Sequence, residues 1–306
     1  MLNDPDTFVV GANLPWVGYG TDFGANAWSP SGGLSADPAR LERLDRAFAR
    51  LSADGISLVR VFLLCDARSG VRFDGDDLPT GVDEALFADV EALIAAARRH
   101  GVRLMPALVD FHLCNPAKVI DGVQIGGRSH LVTTGEGRSA LVESVIAPLV
   151  SRFGGDDAIA AWDLMNEPEW CLRLASSRQT PDPFGALQTF LELGVRSIRA
   201  HARQPVTVGC AGTWQLDLVR PLGLDFYQVH WYERFGWSRL AQPVSQFGLD
   251  RPVILGEFSG RTAPARVLET ARRAGYRGAF VWSVLADDDQ SAYPDEFVTW
   301  GAQLRA

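Results

Sequence analysis

Two glutamates carry the most chemistry in this chain. Glu167 ends the run Ala161-Trp162-Asp163-Leu164-Met165-Asn166-Glu167-Pro168, and Glu257 sits in Val253-Ile254-Leu255-Gly256-Glu257-Phe258, ninety positions later. Each run is short, apolar and strand-like. Two carboxylates delivered from the ends of separate strands are the minimum equipment for cleaving a glycosidic bond with retention. One must hold a proton for the leaving oxygen, and the other must stay ionised to attack the sugar carbon. Gly256-Glu257-Phe258 alone is a weak signal, since any large protein can end two strands in Glu. Asn166-Glu167-Pro168 is more specific. Proline stops the strand and fixes where Glu167 projects, and the Asn166 amide suits a sugar hydroxyl.

The elements that must position these groups alternate along the chain. Short apolar segments, several rich in Val and Ile, predict strands over 8–13, 57–63, 103–110, 158–167, 205–211, 225–232, 252–257 and 278–285. Helical periodicity predicts helices over 38–51, 84–100, 139–153, 184–202, 263–274 and 294–304, with weaker patterns at 214–222 and 238–247. Asp37-Pro38 reads as an N-cap with proline in the first turn, and Gly101 as a C-terminal stop. Eight strands alternating with helices predict one α/β domain over 1–306, a (β/α)8 barrel. The competing open doubly wound sheet usually carries a glycine-rich phosphate loop after its first strand, and none is visible. In a barrel the segments after each strand form the catalytic face. The longest are 15–37, 65–83, 113–138 and 169–183.

Polar residues collect at the predicted strand ends: Arg60, His112, Asn166, Glu167, His230, Tyr232, Glu257 and Trp282. In order, they match the pattern of a known family. The chain resembles the retaining (β/α)8 clan of glycoside hydrolases, and most of all glycoside hydrolase family 5. That family is marked by an arginine on strand two, a histidine ending strand three and an Asn-Glu pair on strand four. It also has His-x-Tyr on strand six, a glutamate on strand seven and a tryptophan on strand eight. The likeness runs from Phe8 to Leu285. It implies a retaining β-glycoside hydrolase acting on gluco- or manno-configured oligosaccharides.

Chemistry and resemblance then agree on roles. Glu167 is the general acid and later the base, and Glu257 is the nucleophile. Retention needs the carboxyls roughly 5–5.5 Å apart. Arg60 would hold Glu257 ionised, against the alternative of a salt bridge closing the barrel floor. Tyr232 would donate its hydroxyl to Glu257, and strand alternation puts His230 on the same side. Asn166 is suited to a sugar 2-hydroxyl, and Trp282 to the flat face of a pyranose unless it is core filler. Trp16, Tyr19, Phe23, Trp28, Trp170, Trp231 and Trp237 are rim aromatics. Glu169 and Glu233 read as rim groups or sugar acceptors, and Asp287-Asp288-Asp289 as a solvated acidic loop.

Composition closes off other classes. The net charge of -8 argues against nucleic acid and anionic membranes as partners. No stretch is apolar enough to span a bilayer. The start, Met1-Leu2-Asn3-Asp4-Pro5-Asp6, lacks a basic segment followed by an apolar one, so a cytoplasmic protein is expected, with a secreted protein lacking its leader as the alternative. The single lysine, Lys118, lies in a predicted loop, which removes Schiff-base chemistry. Cys65, Cys114, Cys171 and Cys210 show no zinc spacing, and strand one has no His-x-His, so no metal and no cofactor are expected. A barrel that binds carbohydrate without cleaving it, and a transglycosidase using the same two glutamates, are the alternatives. The expected partner is an oligosaccharide or glycoside. Fold and reaction class leave the sugar and linkage open.

Overall fold

The computed structural model describes residues 7–174 and 181–305. Eight parallel strands close into a barrel: β1 Val9–Asn13, β2 Leu58–Phe62, β3 Arg103–Asp110, β4 Trp162–Asn166, β5 Val206–Cys210, β6 Tyr227–Trp231, β7 Val253–Ser259 and β8 Gly278–Trp282. Each strand pairs with its sequence neighbours, and β1 pairs with β8 to complete the ring. Every barrel strand lies within or beside a segment predicted from apolar patterning. β4 is shorter than its prediction because the chain before Trp162 meets β3 only through a bridge between Ile159 and Leu104.

Helices pack around the barrel, and their ends follow from capping chemistry. Asp37 accepts from the backbone of Ala39 and Arg40 at the start of Pro38–Ala53. Asp83 accepts from Leu86 N at the start of Glu84–Arg99, which stops before Gly101 in the left-handed region. The predicted helix 139–153 begins earlier, at Gly135, and carries a π turn at Val142–Ile146. Pro148 has no N–H for Ser144 O, and the wider turn absorbs that missing bond. The helices predicted at 214–222 and 238–247 are instead short turns: Leu216–Leu218, Arg220–Leu222, Trp237–Leu240 and Val244–Phe247. Pro221, Gly223, Pro243 and Gly248 interrupt them, and Gly223 and Gly248 both take left-handed backbone.

Two antiparallel hairpins, Val71–Phe73 with Pro79–Val82 and Lys118–Ile120 with Val123–Ile125, extend the segments after β2 and β3. Both fall in spans predicted as loops. They are three or four residues per strand, too short for alternation to register. The predicted segment 169–183 includes residues that lie outside the described ones, as does the N-terminal run Met1 to Asp6.

Inside the barrel, Leu58, Met105, Ala160, Phe226, Ile254 and Phe280 plug the end where the strands begin. The layer above is polar: Asn13, Arg60, Asp163, Gln228 and Glu257 are all buried. Gly209 makes room for it, since a Cβ there would lie 2.7 Å from Arg60 Nη2 and 3.1 Å from His230 Nε2. An apolar plug below and a charged layer beneath the open face give the barrel a direction.

Candidate active site

Register brings the strand ends together. Asn13 stands beside Arg60, Asp110 beside Asn166, and His230 beside Glu257. The backbone of Glu167 takes φ +47, left-handed for a residue with a side chain, an arrangement costing about 1–3 kcal/mol. Its N–H donates to Gly209 O at 2.6 Å and Pro168 follows at once, so the turn is fixed from both sides. β4 therefore stops abruptly at the barrel mouth, where the Glu167 carboxyl meets groups from β6.

Arg60 is the hub of the polar layer. Nε and Nη2 reach Asp163 Oδ2 at 2.8 and 2.7 Å, and Nη1 donates to Glu257 Oε1 at 2.6 Å. Nη2 also donates to Asn166 Oδ1 at 2.8 Å. Burial works against the guanidinium charge, but Asp163 and Glu257 outweigh it and raise the pKa further. The two readings of Arg60 thus merge: it makes a buried ion pair within the barrel wall and also touches Glu257. Asp163, in turn, accepts from Gln228 Nε2 at 2.9 Å and Gly209 N at 3.1 Å. A fully buried charge needs such complete pairing.

Tyr232 Oη donates to Glu257 Oε2 at 2.7 Å. His230 Nδ1 lies 2.9 Å from Glu167 Oε1 and 3.5 Å from Glu257 Oε2, so the ring bridges the two carboxyls. One ligand-capable atom from each of Glu167, His230 and Glu257 falls within 4.8 Å of the others. Trp170 Nε1 donates to Glu167 Oε2 at 2.7 Å.

Burial acts unequally on these groups. It is the largest influence on Glu167, lifting the carboxyl to about 7; Asp110 adds to the rise, and the Trp170 hydrogen bond opposes it. Burial also raises Glu257 above the ordinary carboxylate value, against His230, Arg60 and Tyr232. His230 is pushed down to about 4 by burial. Its ring is therefore neutral at pH 7, and the compensation of Glu257 there falls to Arg60 and the Tyr232 hydroxyl. Burial, then Glu257, push the Tyr232 phenol well above its usual range, so it remains a donor.

The remaining predicted residues stand one step away. His112, in the turn Phe111–Cys114, lies with Nδ1 2.6 Å from Asp110 Oδ2, and its side chain is partly open to solvent. Burial would lower the imidazole, but Asp110 more than reverses this and keeps it charged more readily than usual. Asn166 is held from both ends of its amide and keeps one donor for the sugar role predicted from sequence. Its oxygen takes Arg60 and its nitrogen donates to Asp110 Oδ1 at 3.1 Å, leaving one N–H hydrogen. Trp282 Nε1 donates to Asp288 Oδ2 at 2.9 Å, so one member of the exposed acidic run is tied to the site.

Three rim assignments are corrected. Glu169 is buried, with Oε2 accepting from Ala211 N at 3.1 Å, and burial lifts it to about 8. The turn after Glu167 carries it under the rim. Trp231 is buried and donates to Gly236 O, and Phe23 joins the core beneath the first long segment. The four cysteines are free and buried.

Asp110, Asp163, Asn13 and Gln228 were missed from sequence, and Tyr19 was read as a rim aromatic without its bond to Asp110. Asp163 and Arg60 carry a readable signal, being opposite charges inside two apolar strands. Asp110 ends β3 two residues before His112, and Tyr19 Oη donates to its Oδ2 at 3.0 Å from a loop no pattern could place. Aromatic groups flank the two glutamates. Trp16, Tyr19, Phe62 and Trp282 form one cluster. Phe111, Trp170, Trp214 and Phe235 form a chain of ring contacts on the side of Glu167.

No family model matches the sequence. Curated relatives do. The chain is 30% identical to mannan endo-1,4-beta-mannosidase 3 of Oryza sativa subsp. japonica, over 86% of this chain and 69% of that protein. It is 28% identical to the mannan endo-1,4-beta-mannosidase of Mytilus edulis, over 99% of this chain and 88% of that one. Among solved structures, the endo-1,4-beta-mannanase of Eisenia fetida superposes with a TM-score of 0.78 at 23% identity, covering 98% of this chain and 91% of that one. A glycoside hydrolase family 5 mannosidase from Rhizomucor miehei superposes at 0.63 and 15% identity, over 97% of this chain and 94% of that one. At these identities the structural likeness speaks for the fold, the (β/α)8 barrel. With that barrel, the paired glutamates and these relatives together, the chain belongs to the mannan endo-1,4-β-mannosidases of glycoside hydrolase family 5, retaining enzymes that hydrolyse O-glycosyl bonds.

Proposed function

We propose that the protein is an endo-acting β-1,4-mannanase in which Glu257 is the nucleophile and Glu167 the acid and base. The observation that carries this reading is the contrast between the two carboxyls. They approach within 4.8 Å, yet Arg60 and Tyr232 hydrogen-bond directly to Glu257 and not to Glu167, while burial lifts Glu167 to about 7. In the first step a Glu257 oxygen attacks the anomeric carbon as the bond to the leaving oxygen breaks, and the Glu167 proton passes to that oxygen. In the second, Glu167 takes a proton from water, which attacks the same carbon and releases Glu257. With Glu257 esterified, one negative charge is gone from beside Glu167, which then ionises more easily.

His230, neutral between the carboxyls, orients both. Arg60 and Asn166 are positioning residues, and His112 and Trp282 are proposed sugar contacts beside the pair. Manno configuration is inferred from the relatives. Endo action, too, is inferred from the relatives, which are named as endo-acting. One catalytic domain over 1–306 is part of the proposal, as is a cytoplasmic location, which cell fractionation of the source organism tests. Among the described residues, no helix is long and apolar enough to cross a membrane.

The test is digestion of linear β-1,4-mannan and β-1,4-glucan side by side, with products followed by anomer. Mid-chain cleavage of mannan with retained configuration is expected. Inert mannan alongside cleaved glucan would overturn the substrate assignment.

A further inference from the structure

Among the described residues, four large hydrophobic side chains are exposed: Trp28, Val119, Ile120 and Trp214. Trp214 belongs to the aromatic chain beside Glu167. The other three lie on the catalytic face, in the segments that follow β1 and β3. Val119 and Ile120 are 70% and 47% exposed on the strand Lys118–Ile120, and Trp28, 38% exposed, donates from Nε1 to Ile120 O at 3.2 Å. A hairpin that only covered the barrel would turn such residues inward. Here they stand in solvent, rimmed by polar loop.

The patch connects to the active site. Arg68 lies 5.9 Å from the Trp28 ring and 4.8 Å from the Tyr19 ring, and it is fixed by two bonds to Asp66, at 2.7 and 2.8 Å. Tyr19 packs on Trp16 at 4.8 Å and bonds Asp110, which bonds Asn166 next to Glu167. A track of Trp16, Tyr19, Arg68 and Trp28 therefore leads outward from the polar layer around the glutamates. Sugar rings have apolar faces that suit such a surface, and the Nε1 bond fixes the indole without covering it.

We infer that Trp28, with Val119 and Ile120, is a distal subsite that binds the β-1,4-linked glycan several rings from the cleaved bond. The track extends the cleft, so the occupant is the substrate chain itself. The inference rests on the proposed function and adds a length preference to it: kcat/KM rises with chain length until the distal ring is occupied, then levels off.

The test measures kcat/KM on linear manno-oligosaccharides from trimer to octamer. In Trp28→Ala the value for the longest substrates is expected to fall about fivefold to tenfold while the shortest are unchanged. Trp28→Phe, which keeps a ring but loses the bond to Ile120, should retain most of the long-chain preference. Val119→Ser with Ile120→Ser should weaken it without changing short substrates. A loss equal at all lengths, or Trp28→Phe behaving as Trp28→Ala, would make Trp28 a structural pin and overturn the inference. So would a wild type whose kcat/KM does not rise with length. A wild type that cleaves none of these oligosaccharides would instead defeat the functional reading itself. Concentration-dependent self-association abolished by Trp28→Ala, with unchanged kinetics, would assign the patch to a second copy of the chain and also overturn it.

Discussion

Arg60 Nη1 and Glu257 Oε1 are 2.6 Å apart in a layer where neither side chain has appreciable contact with water. The same guanidinium serves Asp163 and Asn166, so its planar shape matters as much as its charge. Arg60→Lys keeps the charge but cannot reach all three partners. We expect kcat/KM to drop by roughly a hundredfold or more, with the acidic limb of its pH profile moved upward. Arg60→Met leaves two carboxylates unpaired in the barrel and should cost about 3–5 kcal/mol of stability. Chemical denaturation beside the pH profile separates the effects. A Lys variant with wild-type kinetics would reduce Arg60 to a strut.

The pH dependence follows from the two glutamates. Activity requires Glu167 protonated, so kcat/KM should be lost as pH rises through about 7. It also requires Glu257 ionised, so activity is lost as pH falls through a value above the ordinary carboxylate one. The limbs belong to the coupled pair. Tyr232→Phe removes the donor to Glu257 Oε2 and should move the acidic limb upward with kcat reduced about tenfold or more. An unshifted limb would make Tyr232 packing.

Trp170 tests the other carboxyl with a distinctive sign. Its Nε1–H bond to Glu167 Oε2 stabilises the ionised form and opposes the rise caused by burial. Trp170→Phe should therefore raise Glu167 further and shift the basic limb to higher pH. A limb that moved downward would show that the indole acts by excluding water, not by its hydrogen bond.

Glu169 should leave its mark on stability. Its folded pKa, about 8, stands above the unfolded carboxylate value because burial favours the neutral form. Between those values the native state binds the extra proton, so stability is highest below the unfolded pKa and falls as pH rises towards 8. Glu169→Gln should flatten that fall by on the order of a few kcal/mol. Parallel urea titrations at pH 5 and pH 8 read it. An unchanged slope would mean that Glu169 titrates as an exposed acid.

What was legible in the sequence tracks what local chemistry dictates. Strands buried on both faces announce themselves as apolar runs, and caps such as Asp37-Pro38 bound the helices. Residues ending those runs, including Glu167, His230, Tyr232 and Glu257, gather because barrel register leaves them one place to go. The contacts of loop-borne groups were not legible. Tyr19 reaches Asp110 across 91 residues, and Glu169 turns inward because of a left-handed backbone at Glu167 that no periodicity encodes. The hairpin presenting Val119 and Ile120 is held by a cross-loop bond from Trp28, a contact visible only in three dimensions.

The most direct test of the central claim is covalent trapping. The enzyme is incubated with a 2-deoxy-2-fluoro-β-mannosyl donor carrying a good leaving group, and its peptides are mapped by mass spectrometry. The fluorine slows both steps, and the leaving group lets the first outrun the second, so the glycosyl-enzyme accumulates. The account predicts one fluoromannosyl adduct, on Glu257, formed as activity is lost and absent from Glu257→Ala. An adduct on Glu167 or any other residue, or a fully active enzyme that forms none, would contradict it.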